Sequence, residues 1–381
     1  MNRRTLLKLL ALQAVAIPLG IQGKTLEVAH KHLILIELKG GNDGLNTFVP
    51  YTDPLYYQLR PKIAIPREEI LPLNGTLGLH PSLADIKEVF ESGDMALIQG
   101  IGYPHPNRSH FRSIEIWDTA SKSIEYLDDG WLRSLEPKKR LELQGIVLGG
   151  ELGPLSGSER GIIKINNIQG FLNQAKRIRG QIYMIGENKA LQHLLKTEAE
   201  IRQSADILSR YFTKEKTPDY PFPKTAFGRQ LQIAEQLIGS NIDIPYFKLS
   251  LGSFDTHFTQ AKKHARLLKE LSEGIGALRK NLIESGEWNN TIIMTYSEFG
   301  RRVAENASNG TDHGTAATQM IIGGNVKGGI YGKQPRLDTL DKNGDLIYTT
   351  DFRSFYNTIA KEWVGSTTKQ IEGFHTLPIW K

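Results

Sequence analysis

LILIELKGGNDGLN, residues 33–46, decides the fold. The run LILIEL (33–38) lacks the apolar/polar alternation of a half-exposed strand, so it predicts a strand covered on both faces, as in a parallel or mostly parallel sheet. The glycine-rich turn that follows sets a single carboxylate, Asp43, just beyond the strand. Asp in such a turn commonly caps a helix or closes the turn itself.

Further strands are expected at MALIQGI (95–101), GIVLG (145–149), YFKLSLG (246–252), TIIMTY (291–296) and QMIIGG (319–324). Between the fourth and fifth of these six, Ala261, Ala265, Leu268, Leu271, Ile275, Leu278 and Leu282 recur every three or four residues. That spacing predicts an amphipathic crossover helix and a βαβ unit. Chemistry in open α/β sheets gathers beyond the carboxyl ends of strands. Asp43 follows the first strand, Asp255 and His257 of SFDTH follow YFKLSLG, and Glu298 of SEFGRR follows TIIMTY. Asp312 and His313 of GTDHG stand just before QMIIGG. Carboxylates and imidazoles delivered from several segments to one edge are the ligands that hard and borderline divalent metals prefer.

After MALIQGI comes IGYPHPNRSHFRS (101–113), a turn forced by Pro104 and Pro106 that carries His105, Arg108, Ser109, His110 and Arg112. Two readings of Ser109 compete: a helix N-cap among solvated arginines, or a nucleophile at a helix N-terminus with arginines able to hold an anion. His105 and His110 are candidates for leaving-group acids or for turn residues. His80, in GLHPSL, is expected to position a loop near the site.

GGNDGLNTFVPY, LGLHPSL, PHPNRSHFRS, SFDTH, SEFGR and GTDHG, in this order from about residue 31 onward, resemble the DUF1501 family of exported bacterial proteins, within the alkaline phosphatase-like superfamily. The resemblance implies a three-layer α/β/α sandwich with a mostly parallel central sheet, one or two divalent metal ions, and phosphate or sulfate esters, free or borne on glycans, as substrates. It implies that Asp43 binds the metal nearest the nucleophile and that Ser109 is that nucleophile, with Arg108, Arg112 and His110 around it. Asp255, His257 and His313 would hold the other metal. Glu298 falls where the superfamily has Asp followed by His, and Phe299 takes that histidine's place, so either Asp312 supplies the missing ligand or one metal binds. Zinc comes first for such donors, then magnesium, manganese or calcium. The rival reading is a non-catalytic periplasmic or surface binding protein that keeps the fold.

The N-terminus, MNRRTLLKLLALQAVAIPLG, pairs Arg3 and Arg4 ahead of an apolar stretch too short for a comfortable membrane span. It predicts a twin-arginine export signal over residues 1–23 that engages the twin-arginine machinery, with a cleavage point near Ala16 or Gly23. The destination is periplasmic or extracellular, with a membrane tether if the signal stays on. Without residues 1–23, 44 basic residues face 41 acidic ones. A balance that even, with no basic run, gives no nucleic-acid surface. The absence of cysteine rules out disulfides, thiolate metal ligands and cysteine nucleophiles.

With 39% hydrophobic and 23% charged residues over 381 positions, the chain reads as globular. One elaborated domain is expected over 31–381, with residues 150–225 as a cap or insertion in which Leu191, Leu194, Leu195 and Ile201 suggest a packed helix. Near the end, Phe352, Phe355, Ile359 and Trp363 have helical spacing and predict a packing helix with Thr350 as its cap.

Overall fold

A computed structural model describes residues 30–135, 141, 143–157, 161–177, 189–212 and 217–381. The expected export signal and the side chains of Leu191 and Leu194 lie outside the described residues.

The main sheet contains β1 (His32–Leu38), β2 (Met95–Gly102), β3 (Gly145–Val147), β4 (Ile162–Lys164), β5 (Tyr246–Leu251), β6 (Thr291–Tyr296), β7 (Ala317–Gly323), β8 (Gly329–Tyr331) and β9 (Thr350–Asp351). Their spatial order is β8-β2-β7-β6-β1-β5-β3-β4, with β9 pairing to β2 beyond this path. β1 is central and fully buried. It pairs in parallel with β5, Leu33 opposite Tyr246 and Leu38 opposite Leu251, and with β6, His32 opposite Thr291 and Glu37 opposite Tyr296. The two strands of the expected βαβ unit therefore flank β1 instead of pairing with each other. β7 runs antiparallel to both of its neighbours, β2 and β6. Its amino end thus meets the carboxyl ends of β1, β2, β5 and β6, which is why GTDHG precedes its strand while the other motifs follow theirs.

Unbroken apolar strands need cover on both faces, and helices supply it. Ile34, Ile36 and Leu38 pack with Ile86 and Val89 of α1 (Ala84–Glu91) and with Phe227 and Leu231 of α5 (Ala226–Ile238). Leu268, Leu271 and Ile275 of α6 (Gln260–Glu284), the crossover helix, join the same face. Leu33 and Leu35 point the other way, toward Ile116 and Trp117 of α2 (His110–Thr119) and Phe352, Phe355 and Tyr356 of α7 (Phe352–Thr358). The result is the three-layer α/β/α sandwich with a mostly parallel sheet. Burying each such Leu, Ile or Phe fully is worth about 1.5–3 kcal/mol.

Residues 150–225 are joined to this scaffold through its core. β4 extends the sheet, and Ile168 and Leu172 of α3 (Ile168–Ala175) and Leu208 of α4 (Lys189–Tyr211) enter the larger apolar cluster. Leu195 is half-buried, and Ile201 packs against the same cluster. The late aromatic helix is core as expected, but its cap is Asp351, which accepts from the Arg353 amide at 2.9 Å, and not Thr350.

Candidate metal centre at the strand edge

The turn after β1 explains its two glycines. Gly40 and Gly41 have φ of +116° and +75°, and a Cβ would sit 2.4 Å from the Asp255 amide nitrogen in one case and 2.4 Å from the Phe299 ring in the other. Only glycine lets this turn press against both neighbouring loops.

Asp43, just beyond, is buried and committed elsewhere. Its Oδ1 accepts from the Leu45 and Asn46 amides at 3.2 and 3.4 Å, capping the short helix Gly44–Thr47. Its Oδ2 accepts from Arg60 Nη1 at 2.6 Å and from Gln260 Nε2. Arg60 is fully buried and also donates to Asn46 Oδ1 and to the carbonyls of Arg302 and Val303. Burial alone would raise the Asp43 pKa, but the charge and hydrogen bond of Arg60 bring it below the ordinary carboxylate value. The expected metal ligand is therefore neutralised by a guanidinium.

Four other side chains converge. His257 Nε2 lies 3.0 Å from His313 Nε2 and 3.0 Å from Asp255 Oδ1, and His313 Nε2 lies 3.3 Å from the same oxygen. His110 Nε2 lies 3.5 Å from Asp255 Oδ2. Ligand atoms of His110, Asp255 and His313 all fall within 4.8 Å of one another.

The second nitrogen of each ring fixes its tautomer. His313 Nδ1 is 2.8 Å from the carbonyl oxygen of Arg108, which can only accept, so Nδ1 carries the proton. His257 Nδ1 is 3.0 Å from Asp312 Oδ1, and His110 Nδ1 is 2.7 Å from Glu298 Oε1, which also accepts from the Gly40 amide at 2.9 Å. In the neutral rings all three Nε2 atoms then present lone pairs toward Asp255. Three nitrogen lone pairs and a carboxylate in one place repel each other unless a proton or a metal cation lies between them. Two nitrogens each about 2.0–2.1 Å from a tetrahedral zinc ion stand roughly 3.3 Å apart, close to what these rings show. The donor set fits a divalent metal, and its nitrogen-rich character favours zinc.

Asp312 and Glu298, both expected as ligands, accept from the outer ring nitrogens of His257 and His110. Carboxylate–histidine pairs of this kind are the usual outer layer of metal sites. Glu298 raises the His110 pKa through its hydrogen bond, more than burial lowers it, whereas burial lowers that of His313. Asp255 is half-exposed; burial pushes its pKa up, but Arg301 Nη2, at 2.6 Å, outweighs this and holds it at about 2.

Arg301 of SEFGRR is a further residue of the centre beyond those expected from sequence, as are Arg60, Gln260 and His264 around Asp43. Its buried guanidinium also donates to the carbonyls of Gly41 (2.7 Å), Thr311 (2.8 Å), Phe254 (3.2 Å) and Gly40. It thus ties three loops to Asp255. The doubled arginine after a strand was the available signal.

The remaining expected site residues divide. Ser109 is exposed at the N-cap of α2, yet its hydroxyl caps nothing. Arg108 Nη1 donates to the fully buried Asp345 at 2.9 Å. Arg112 holds the carbonyls of Lys122, Ser123 and Glu125 and pairs with Glu115 at 3.0 Å, so it fastens the 122–125 loop to α2. His105 is an exposed turn residue with φ of +54°. His80 is buried, accepts from the Ser82 amide at 3.0 Å and lies edge-on to His264. Phe299 is buried with its ring 4.9 Å from that of His110 and 4.5 Å from that of His313.

The fold and site define an α/β/α protein with a histidine–carboxylate centre at its strand edge. The model of the DUF1501 family, described as a protein of unknown function, matches residues 165–362, more than half of the chain, and the chain belongs to that family. No curated protein matches it. Similar solved structures include the PsFucS1 sulfatase from Pseudoalteromonas sp. (11% identity, 92% of this chain and 71% of that one, TM-score 0.41). They also include a protein in the alkaline phosphatase superfamily from Vibrio parahaemolyticus (12%, 89% and 67%, TM-score 0.37). A third is the phosphonate monoester hydrolase SpPMH from Silicibacter pomeroyi (11%, 91% and 76%, TM-score 0.36).

Proposed function

We propose that this chain is an exported hydrolase of phosphate or sulfate esters built on a single divalent cation, zinc first, held by His110, Asp255, His257 and His313. The observation that carries this reading is the convergence of three Nε2 lone pairs on Asp255, each fixed by an acceptor on the opposite ring nitrogen. A second metal at Asp43 is dropped, since Arg60, Gln260 and the Leu45 and Asn46 amides occupy both of its oxygens, whereas Arg301 takes only Oδ1 of Asp255. A cation at the centre would supply Lewis-acid charge to the ester and lower the pKa of a hydroxyl beside it.

Ser109, immediately before His110, is the nucleophile in this proposal: its oxygen attacks phosphorus or sulfur, the ester's alcohol leaves, and water later releases the seryl ester. Its exposure and lack of a capping bond leave the hydroxyl available. The first-turn amides of α2, which take no side-chain cap, would meet the ester's oxygens in this reading. The paired Arg3 and Arg4 support export to the periplasm or beyond. Among the described residues no helix is long and apolar enough to cross a membrane.

The test is hydrolysis of 4-nitrophenyl phosphate and sulfate by the metal-loaded protein and by Ser109→Ala. A fall of at least about 100-fold in kcat, or about 2.7 kcal/mol of barrier, at unchanged metal content is expected. Inactivity of a protein that binds no metal would favour the non-catalytic binding reading, for which the charge-paired Asp43 is the supporting observation.

A further inference from the structure

A cavity of about 160 Å³ borders Phe299, whose ring also packs against the imidazoles of His110 and His313, and is lined by Tyr103, Ala316, Leu346, Ile347 and Tyr348. Two of the three segments that supply the candidate metal ligands also build this cavity. Tyr103 and Pro106 belong to the turn that leads to His110, and Thr315 and Ala316 follow His313. Its surface is apolar, and the Tyr103 hydroxyl is already engaged with Ser113 Oγ at 2.8 Å and the Asn107 amide at 3.1 Å. A sugar ring would find few partners there.

One charge stands at the cavity, Asp341, whose Oδ1 accepts from the Asn343 and Asp345 amides within its own turn. That negative group disfavours an anion inside. An ester would therefore enter with its anionic head toward the imidazoles and its apolar part toward the cavity. The size suits one ring, since an apolar cavity of about 150 Å³ accommodates benzene. Ile347, 45% exposed at the lip, is a large apolar side chain that packing in this chain leaves unexplained.

We infer that this cavity is the subsite for the alcohol portion of the substrate, and that the portion is an aryl or compact branched-alkyl group, not a sugar. The inference rests on the hydrolase reading above for the word substrate, but the cavity's affinity for an apolar ring is independent of it. The experiment titrates the full chain with phenol, followed by saturation-transfer NMR, and measures kcat/KM for phenyl phosphate against methyl phosphate. Ala316→Leu, which fills the cavity, and Ile347→Asp, which charges its exposed lip, are compared with the unaltered protein. Phenol should bind and be weakened about tenfold or more in both variants, and the phenyl-over-methyl preference should fall by a similar factor at unchanged metal content. Phenol binding without turnover of either ester would uphold the apolar subsite while removing the hydrolase. No phenol binding, or binding untouched by Ile347→Asp in a folded variant, would overturn the inference.

Discussion

Arg60 Nη1 and Asp43 Oδ2 lie 2.6 Å apart with both side chains essentially excluded from solvent. Removing one partner of a buried pair strands the other charge, at a cost of about 3–5 kcal/mol. Arg60→Ala should therefore lower stability by about that amount in urea unfolding. Asp43→Asn should leave the metal content of the folded protein unchanged. Loss of metal in Asp43→Asn would return this residue to the ligand set.

Asp312 Oδ1 accepts from His257 Nδ1 at 3.0 Å and, in the proposed centre, orients that ring without joining the inner donors. Asp312→Asn should weaken metal affinity by about 10- to 100-fold, the usual cost of losing an orienting carboxylate. Its side chain is half-exposed, so the fold should be unaffected. Calorimetric titration with zinc checks this; an unchanged affinity would show that the ring needs no such support.

His264 and His80 are buried, and desolvation lowers their pKa values to about 3 and about 4 from an unfolded value of 6.5. Below 6.5 the unfolded chain takes up protons that the folded chain refuses, so stability falls as the pH drops. The loss runs from 6.5 down to about 4 for His80 and about 3 for His264, at up to about 1.4 kcal/mol per pH unit for each group. His110 works in the opposite direction and in a higher window. Its raised pKa gives a contribution complete below 6.5 that fades as the pH climbs past that raised value. Urea midpoints between pH 4 and 6.5 should therefore rise with pH, less steeply in His264→Gln. An equal slope in that variant would assign the effect to other groups.

How much of this was legible follows from what short stretches encode. TIIMTY read as a strand over 291–296, and it is one with those bounds, because its β-branched residues and its tyrosine favour a strand and no turn residue interrupts it. The crossover helix was legible from its period and spans Gln260–Glu284. The direction of β7 was not, since a strand buried on both faces reads alike either way round. In the site, the motif histidines and Asp255 meet as neighbouring loops. The partners of Asp43 and Arg108 do not follow from spacing: Arg60 is 17 positions from Asp43, and Asp345 is 237 from Arg108. A carboxylate beyond a strand looks the same whether a metal or a guanidinium answers it.

The most direct measurement is a crystal structure of the zinc-loaded protein with anomalous scattering at the zinc edge. The account predicts one ion per chain, bonded to Nε2 of His110, His257 and His313 and to Asp255. An ion on Asp43, or histidines whose Nε2 atoms face away from any ion, would contradict it.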